Sequence, residues 1–241
     1  MRDYLLDLVK NTHDLGFIEL VKITGTPDKT ELVGISEDLS VVLYGEFKVP
    51  SAEFVGTFGM PNLSKLKILL GLQEYREDAK LSLTRRTTGE PDGINFENAH
   101  GDFRNNYRFM AETIVSDKLK TPKLLAGLKW HIKFAPTVAA IQRLRMQAQA
   151  NVEELHFQAK TENGDLKFFF GDHSTHAGNF VFQAGVTGEL KRAWSWPVMA
   201  VMSILSLAGD KTMHISDDGA AKIIVDSGLA VYTYVLPAHS K

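Results

Sequence analysis

Residues 61–71, PNLSKLKILLG, and residues 197–209, PVMAVMSILSLAG, decide the fold, because they are two versions of one local design roughly 135 residues apart. Each follows a strand-like stretch and continues from its proline with apolar residues at helical spacing. With Pro61 placed on Pro197, Leu66 falls on Met202, Ile68 on Ile204 and Leu69 on Leu205. Upstream, amphipathic stretches lead to Leu20 and Leu155, then to polar turns (TGTPDKT, 24–30; TENGD, 161–165), then to apolar strands. A doubled unit with several short strands per copy predicts two similar domains, not one enzyme core with an added lobe.

Composition agrees with that reading. A chain of 241 residues, 44% apolar and 23% charged, is long enough to bury one large core or two smaller ones. Cysteine is absent, which removes disulfides, thiolate metal sites and cysteine nucleophiles. The first residues carry Asp3, Asp7 and Asp14 among their apolar positions, unlike the apolar core of a signal peptide. No apolar run approaches the ~20 residues of a membrane span, so a soluble intracellular protein is expected.

Along the chain, helical spacing predicts helices over 2–14, 62–71, 137–150 and 197–208. Between them, alternation and turn signals predict strands over 17–24, 32–36, 39–47, 79–84, 93–98 and 102–110 in the first half. In the second half the same signals mark 128–134, 154–159, 166–170, 179–184, 190–194, 212–216, 221–225 and 229–236. Residues 112–127, ETIVSDKLKTPKLLAG, show mixed polarity and no sustained period, and read as a connector. The expected fold class is therefore α+β, with domains at 1–111 and 128–241 joined by 112–127.

Motifs for nucleotide or acyl chemistry are missing: there is no GxxxxGK[ST], GxGxxG or GxSxG. The catalytic candidate is the loop GDHSTHAGN, where Asp172, His173 and His176 could chelate a divalent cation, or could form an ordinary solvated turn. His131 and His156 alternate with apolar neighbours and read as outward-facing or hydrogen-bonded strand histidines. Charge distribution says more. The four helical segments hold six basic residues (Arg2, Lys10, Lys65, Lys67, Arg143, Arg145) and three acidic ones, a sum of +3, while the remainder of the chain sums to -5. Helices sharing one face would make that face positive on an otherwise acidic protein, as a surface that tracks phosphates without reading bases requires; the alternative is ordinary helix surface with a chance excess of base. Within 137–150, Arg143 is expected away from the Val138, Ile141 and Leu144 side, and Arg145 nearer to it.

The doubled order of helix and strand meander, the segment NLSKLKILLG and the closing YTYVLPAHSK resemble the DNA sliding clamps of the proliferating-cell-nuclear-antigen type, and within them the T4-like bacteriophage clamps. The resemblance implies a DNA clamp fold in which each domain packs two helices on antiparallel sheet. It further implies a homotrimeric ring, with helices around the hole, that encircles duplex DNA without reading sequence. Such a ring tethers the replicative DNA polymerase for processivity, is loaded by a clamp loader ATPase, and can extend to phage late transcription in the cytoplasm of an infected host. It implies no catalytic residue, metal, cofactor or membrane. Carried onto this chain, the DNA-facing residues are the six helical cations. The subunit interface is the strand at 102–111 with Arg104, Tyr107 and Phe109, meeting the strand at 178–184 with Phe180 and Phe182 of the next copy. The partner-peptide pocket is Leu124 and Leu125 with Leu236 and Pro237, where Leu124 and Leu125 could equally anchor the connector to the core. The competing readings are a small metal-dependent hydrolase built on Asp172, His173 and His176, and a phage assembly protein with a duplicated β-rich fold.

Overall fold

The computed structural model describes residues 1–120, 127–172 and 176–239. The chain divides into two units: residues 1–122 with 227–232, and residues 123–226 with 233–241.

The first unit opens with α1 (Arg2–Lys10), whose Leu5, Leu8 and Val9 are buried, and then a single 3-10 turn over His13–Leu15. The helix expected to reach residue 14 thus stops at Lys10, where Asn11 and Thr12 turn their side chains onto the carbonyls of Asp7 and Leu8. Strands β1 (Leu20–Gly25), β2 (Thr30–Ile35) and β3 (Val42–Phe47) form an antiparallel meander, and β4 (Gly56–Pro61) returns to pair with β1 on its other side. Gly25 makes that return possible: a Cβ there would lie 1.9 Å from the Phe54 carbonyl oxygen. Then come α2 (Leu63–Gly71), the meander β5 (Lys80–Arg85), β6 (Pro91–Glu97) and β7 (Arg104–Arg108), and the short β8 (Met110–Ala111) beside β4. A run of rings fills the core: Phe54 and Phe58 with centroids 6.1 Å apart, and Phe58 stacked on Phe109 at 4.3 Å.

Residues 112–127 are not irregular throughout. Glu112–Lys118 form α3, with Val115 fully buried and Leu119 nearly so one turn later. Two buried apolar residues, Val115 and Leu119, are too few to register as a period, and tertiary packing against Gly59 supplies what propensity does not: a Cβ at Gly59 would meet the Val115 side chain at 2.8 Å.

The second unit repeats the plan. After β9 (Ile132–Phe134), α4 (Val138–Ala150) leads into β10 (His156–Glu162), β11 (Asp165–Phe170) and β12 (Gly178–Gln183), and β13 (Trp194–Pro197) returns beside β10. Helix α5 (Val198–Leu205) then leads into β14 (Asp210–Ser216), β15 (Ala220–Asp226) and β16 (Ala230–Pro237). The strand orders β3-β2-β1-β4 and β12-β11-β10-β13 are the same arrangement built twice, and so are the meanders β5-β6-β7 and β14-β15-β16. Rings of Phe157, Phe168, Phe180 and Phe182 form the core here, with Phe168 stacked on Phe182 at 4.3 Å.

The copies match differently in strand and helix. In the strands Pro61 pairs with Leu20 and Pro197 with His156, which supports placing the prolines together. In the helices that placement is one residue out of step: Leu63, Leu66, Leu69 and Leu70 are buried in α2, and Val198, Val201, Ile204 and Leu205, with Ala200 besides, in α5. Ile68, set against the buried Ile204 by the sequence alignment, is 56% exposed. The cause is Asn62, an extra residue between strand and helix. It adopts a left-handed conformation (φ 53, ψ 58) and its side chain accepts from the Lys65 amide at 3.3 Å, capping α2, whereas Pro197 serves as the α5 cap directly.

Candidate nucleic-acid interface

Each unit sets two helices side by side, α1 with α2 and α4 with α5, and the candidate cations divide by what they already bind. Arg2 is committed inward: its guanidinium donates to the carbonyls of Tyr75 and Leu70, both at 2.6 Å, satisfying a carbonyl at the C-terminal end of α2. Lys67 pairs with Asp14 at 2.8 Å, so the two cancel locally. Arg145 donates to the Ser206 hydroxyl at 2.8 Å and keeps its charge. Arg143 lies over the Phe180 ring, 5.4 Å from its centroid, while remaining exposed. Lys10 and Lys65 are exposed and make no ion pair among the described residues.

The acids of the first helix are also partly accounted for. Asp7 accepts from the Ser227 hydroxyl and the Tyr232 phenol, both at 2.8 Å, and serves the core of its unit. Asp3 alone of the three stands exposed with no ion-pair partner among the described residues, against Lys10, Lys65, Arg143 and Arg145. The sum over the helix surfaces therefore stays at +3, now carried by four cations against one acid. The expected apolar side of α4 needs correction: Val138 is 73% exposed, and the buried positions are Ala140 and Leu144, because the helix packs along β12. That packing brings Arg143 onto Phe180, and it leaves no room at Gly178, where a Cβ would meet Gln147 at 2.7 Å.

Strands β7 and β12 each lie at the edge of their sheet, with one neighbour apiece among the described residues. Their aromatic side chains, however, do not face outward. Tyr107 and Phe109 are buried in the first unit and Phe180 and Phe182 in the second, so a neighbouring chain would meet the backbone edge and not these rings. The Tyr107 hydroxyl donates to the Pro61 carbonyl at 2.5 Å, and burial holds its phenol above the ordinary range. Arg104 is exposed and paired with Glu97 at 2.9 Å. Alternation puts Asn106 and Arg108 on the open side of β7, and Asn179, Val181 and Gln183 on the open side of β12.

Of the peptide-pocket residues, Leu124 and Leu125 lie outside the described residues. Leu236 is fully buried, and its carbonyl accepts from the Trp196 indole at 3.1 Å; only Pro237 retains partial exposure. A closing strand so deeply packed cannot offer the Leu236 side chain as a wall. Of the hydrolase set, His173 lies outside the described residues, and Asp172 borders a shallow cleft of about 380 Å³ with Lys160, Glu162 and Asn179. No group of three or more His, Asp or Glu residues among those described has the arrangement of a metal site. His131 lies just before β9 and not within it, and is hydrogen-bonded as expected: its Nδ1 accepts from the Asp217 amide at 2.9 Å. The His156 ring sits 4.5 Å from that of His239, and burial, then that neighbour, lowers its proton affinity.

Sequence reasoning overlooked His214. It lies between Lys133 and Lys222 across three strands, is 8% exposed, and its Nε2 has no hydrogen-bond partner. The available signal was the alternation of β14, in which His214 falls between the apolar Met213 and Ile215, but the flanking lysines belong to other strands.

No helix among the described residues is long and apolar enough to cross a membrane. No sequence-family model matches the chain, and no curated protein matches it. Solved structures do. The sliding clamp PCNA of A. fulgidus, solved with the C-terminal region of FEN-1 bound, superimposes with a TM-score of 0.70 at 11% identity, covering 98% of this chain and 96% of that one. PCNA of Thermococcus kodakaraensis gives 0.68 at 13% identity over 99% and 97%. A chain of the PCNA2–PCNA3 complex of Sulfolobus tokodaii gives 0.65 at 10% identity over 98% and 96%. The fold is thus the two-domain α+β clamp fold, over essentially the whole chain.

Proposed function

We propose that this chain is a sliding clamp: three copies close head to tail into a ring that encircles duplex DNA and holds a DNA polymerase on it. The observation that carries the reading is the pair of unlike free edges, β7 in one unit and β12 in the other, within a doubled clamp fold. Two different edges per chain make a head-to-tail contact, and such contacts leave no edge open only when the rotation closes. The role is topological and not catalytic, and the proposed domains are 1–111 and 128–241, with 112–127 between them.

Duplex DNA is held by Lys10, Lys65, Arg143 and Arg145 on the helices, through screened phosphate contacts weak enough to permit sliding. Loading by a clamp loader ATPase follows from closure, because a closed ring must be opened to admit DNA without free ends. Partner peptides dock beside the connector with Pro237 at one wall, and the clamp is proposed to be of the T4-like bacteriophage type. Light scattering should give a trimer mass, weakening on dilution, and the protein should stay on closed circular duplex but leave it once the circle is cut. A monomer at all concentrations, with no trimer on DNA, overturns the proposal.

A further inference from the structure

On the second unit, β9, β14 and β15 carry a row of three side chains on one face: Lys133 and Lys222 are each directly opposite His214 in the strand register. The other face of these strands is core, with Ile132, Met213, Ile215, Ile223 and Val225 all fully buried. Adjacent strands lie about 4.8 Å apart, which puts the two lysines roughly 10 Å apart with the imidazole between them. No carboxylate pairs with either lysine among the described residues, and burial, then Lys133, depress the proton affinity of Lys222. Trp130 completes the group. The Lys222 ammonium sits 4.6 Å from its ring centroid, and the indole meets the His214 ring edge to face at 5.9 Å.

This row is internally unsatisfied in two ways. Two cations share a face without a counter-charge, and His214 keeps a sealed Nε2 with no partner, a rare and costly condition for a buried polar atom. One carboxylate would relieve both by accepting from the lysine ammonium groups and, once Trp130 turns aside, from the Nε2–H. We infer that the Lys133–His214–Lys222 row with Trp130 is a docking site for an acidic segment of a partner polypeptide. Charge complementarity selects that occupant: the face presents two cations with no carboxylate partner among the described residues, over a span that a short acidic segment can cover. A short acidic segment engages only the local positive charge, and its aliphatic stems can lie on the indole. The site does not depend on ring formation, so its test is separate from that of the clamp reading.

A ten-residue polyglutamate peptide is titrated into the intact protein, followed by the indole resonance of Trp130 and the ring resonances of His214. Binding should shift both, raise the proton affinity of His214, and weaken with salt. Lys133→Ala with Lys222→Ala should weaken binding at least about fivefold at low salt, as expected for two charge contacts at a partly exposed face. Lys129→Ala, outside the row, should leave it unchanged, which separates local recognition from general attraction. His214→Phe should retain the fold and lose the Trp130 response. Absence of binding, equal binding by the double variant, or preferential binding of a ten-nucleotide single strand at the same resonances would each overturn the assignment.

Discussion

Removing Lys65 and Arg143 together tests the helix surface most directly. Both are exposed, neither has a carboxylate partner among the described residues, and neither belongs to a core, so Lys65→Ala with Arg143→Ala should leave folding and assembly intact. The double variant removes two cations per chain. Each phosphate neutralised on duplex DNA contributes about 0.9 to the slope of log affinity against log salt. If one chain's pair meets phosphate at a time, the slope becomes shallower by about 1.8. Over the fourfold rise from about 50 to 200 mM salt, that difference amounts to about a 12-fold smaller loss of affinity. A ring touching DNA on all three sides at once would lose up to about 5 in slope. The assay is fluorescence anisotropy on a duplex blocked at both ends, across a salt series, with light scattering on the same samples. An unchanged slope in an intact trimer would show that these cations do not meet phosphates. Lys67→Ala is the internal comparison: its charge is already spent on Asp14, so its slope should change much less.

Four further outcomes are expected. Phe182→Asp places an unpaired carboxylate in the ring cluster and should destabilise the second unit by several kcal/mol, about 3 or more, in thermal melts, whereas Phe182→Leu should cost about 1 to 2. Asn62→Ala should cost about 1 to 2 kcal/mol through the lost cap and left-handed backbone, and Asn62→Gly only a few tenths, as read by denaturant midpoints; equal losses would argue against the conformational origin. His214 has its proton affinity lowered from 6.5 to about 4 by burial, then by Lys222 and Lys133. The unfolded chain therefore binds more protons in that window. Stability is complete above 6.5 and falls as pH drops towards 4, by about 1 to 2 kcal/mol after allowance for solvent screening, and His214→Phe should flatten this part of the urea-midpoint profile. Finally, the cysteine-free chain permits clean cross-linking: cysteines at Asn106 and at Asn179, Val181 or Gln183 in turn should, in one register, oxidise to a covalent trimer on denaturing gels, and monomer in every register would refute edge pairing.

The sequence by itself determined what short-range pattern can encode. The four main helices, the two meanders per copy and the doubling follow from apolar spacing and turn residues, since a helix or strand must present one side to a core wherever it lies. Four basic residues on solvated helix surfaces were legible for the same reason. Tertiary structure alone decided how these pieces met. Asn62 put α2 one residue out of step with α5, a displacement invisible to an alignment of prolines because it changes a strand-to-helix junction and no periodicity. Arg2 and Lys67 left the exposed charge because their partners lie across a fold, at Tyr75 and Leu70 and at Asp14. The ring side chains of Tyr107, Phe109, Phe180 and Phe182 turned inward because an edge strand exposes its backbone while still packing one face. The row through His214 exists only once three strands have paired. Pairing between distant segments is set by the sum of many weak contacts over the whole fold, which no local window of sequence contains.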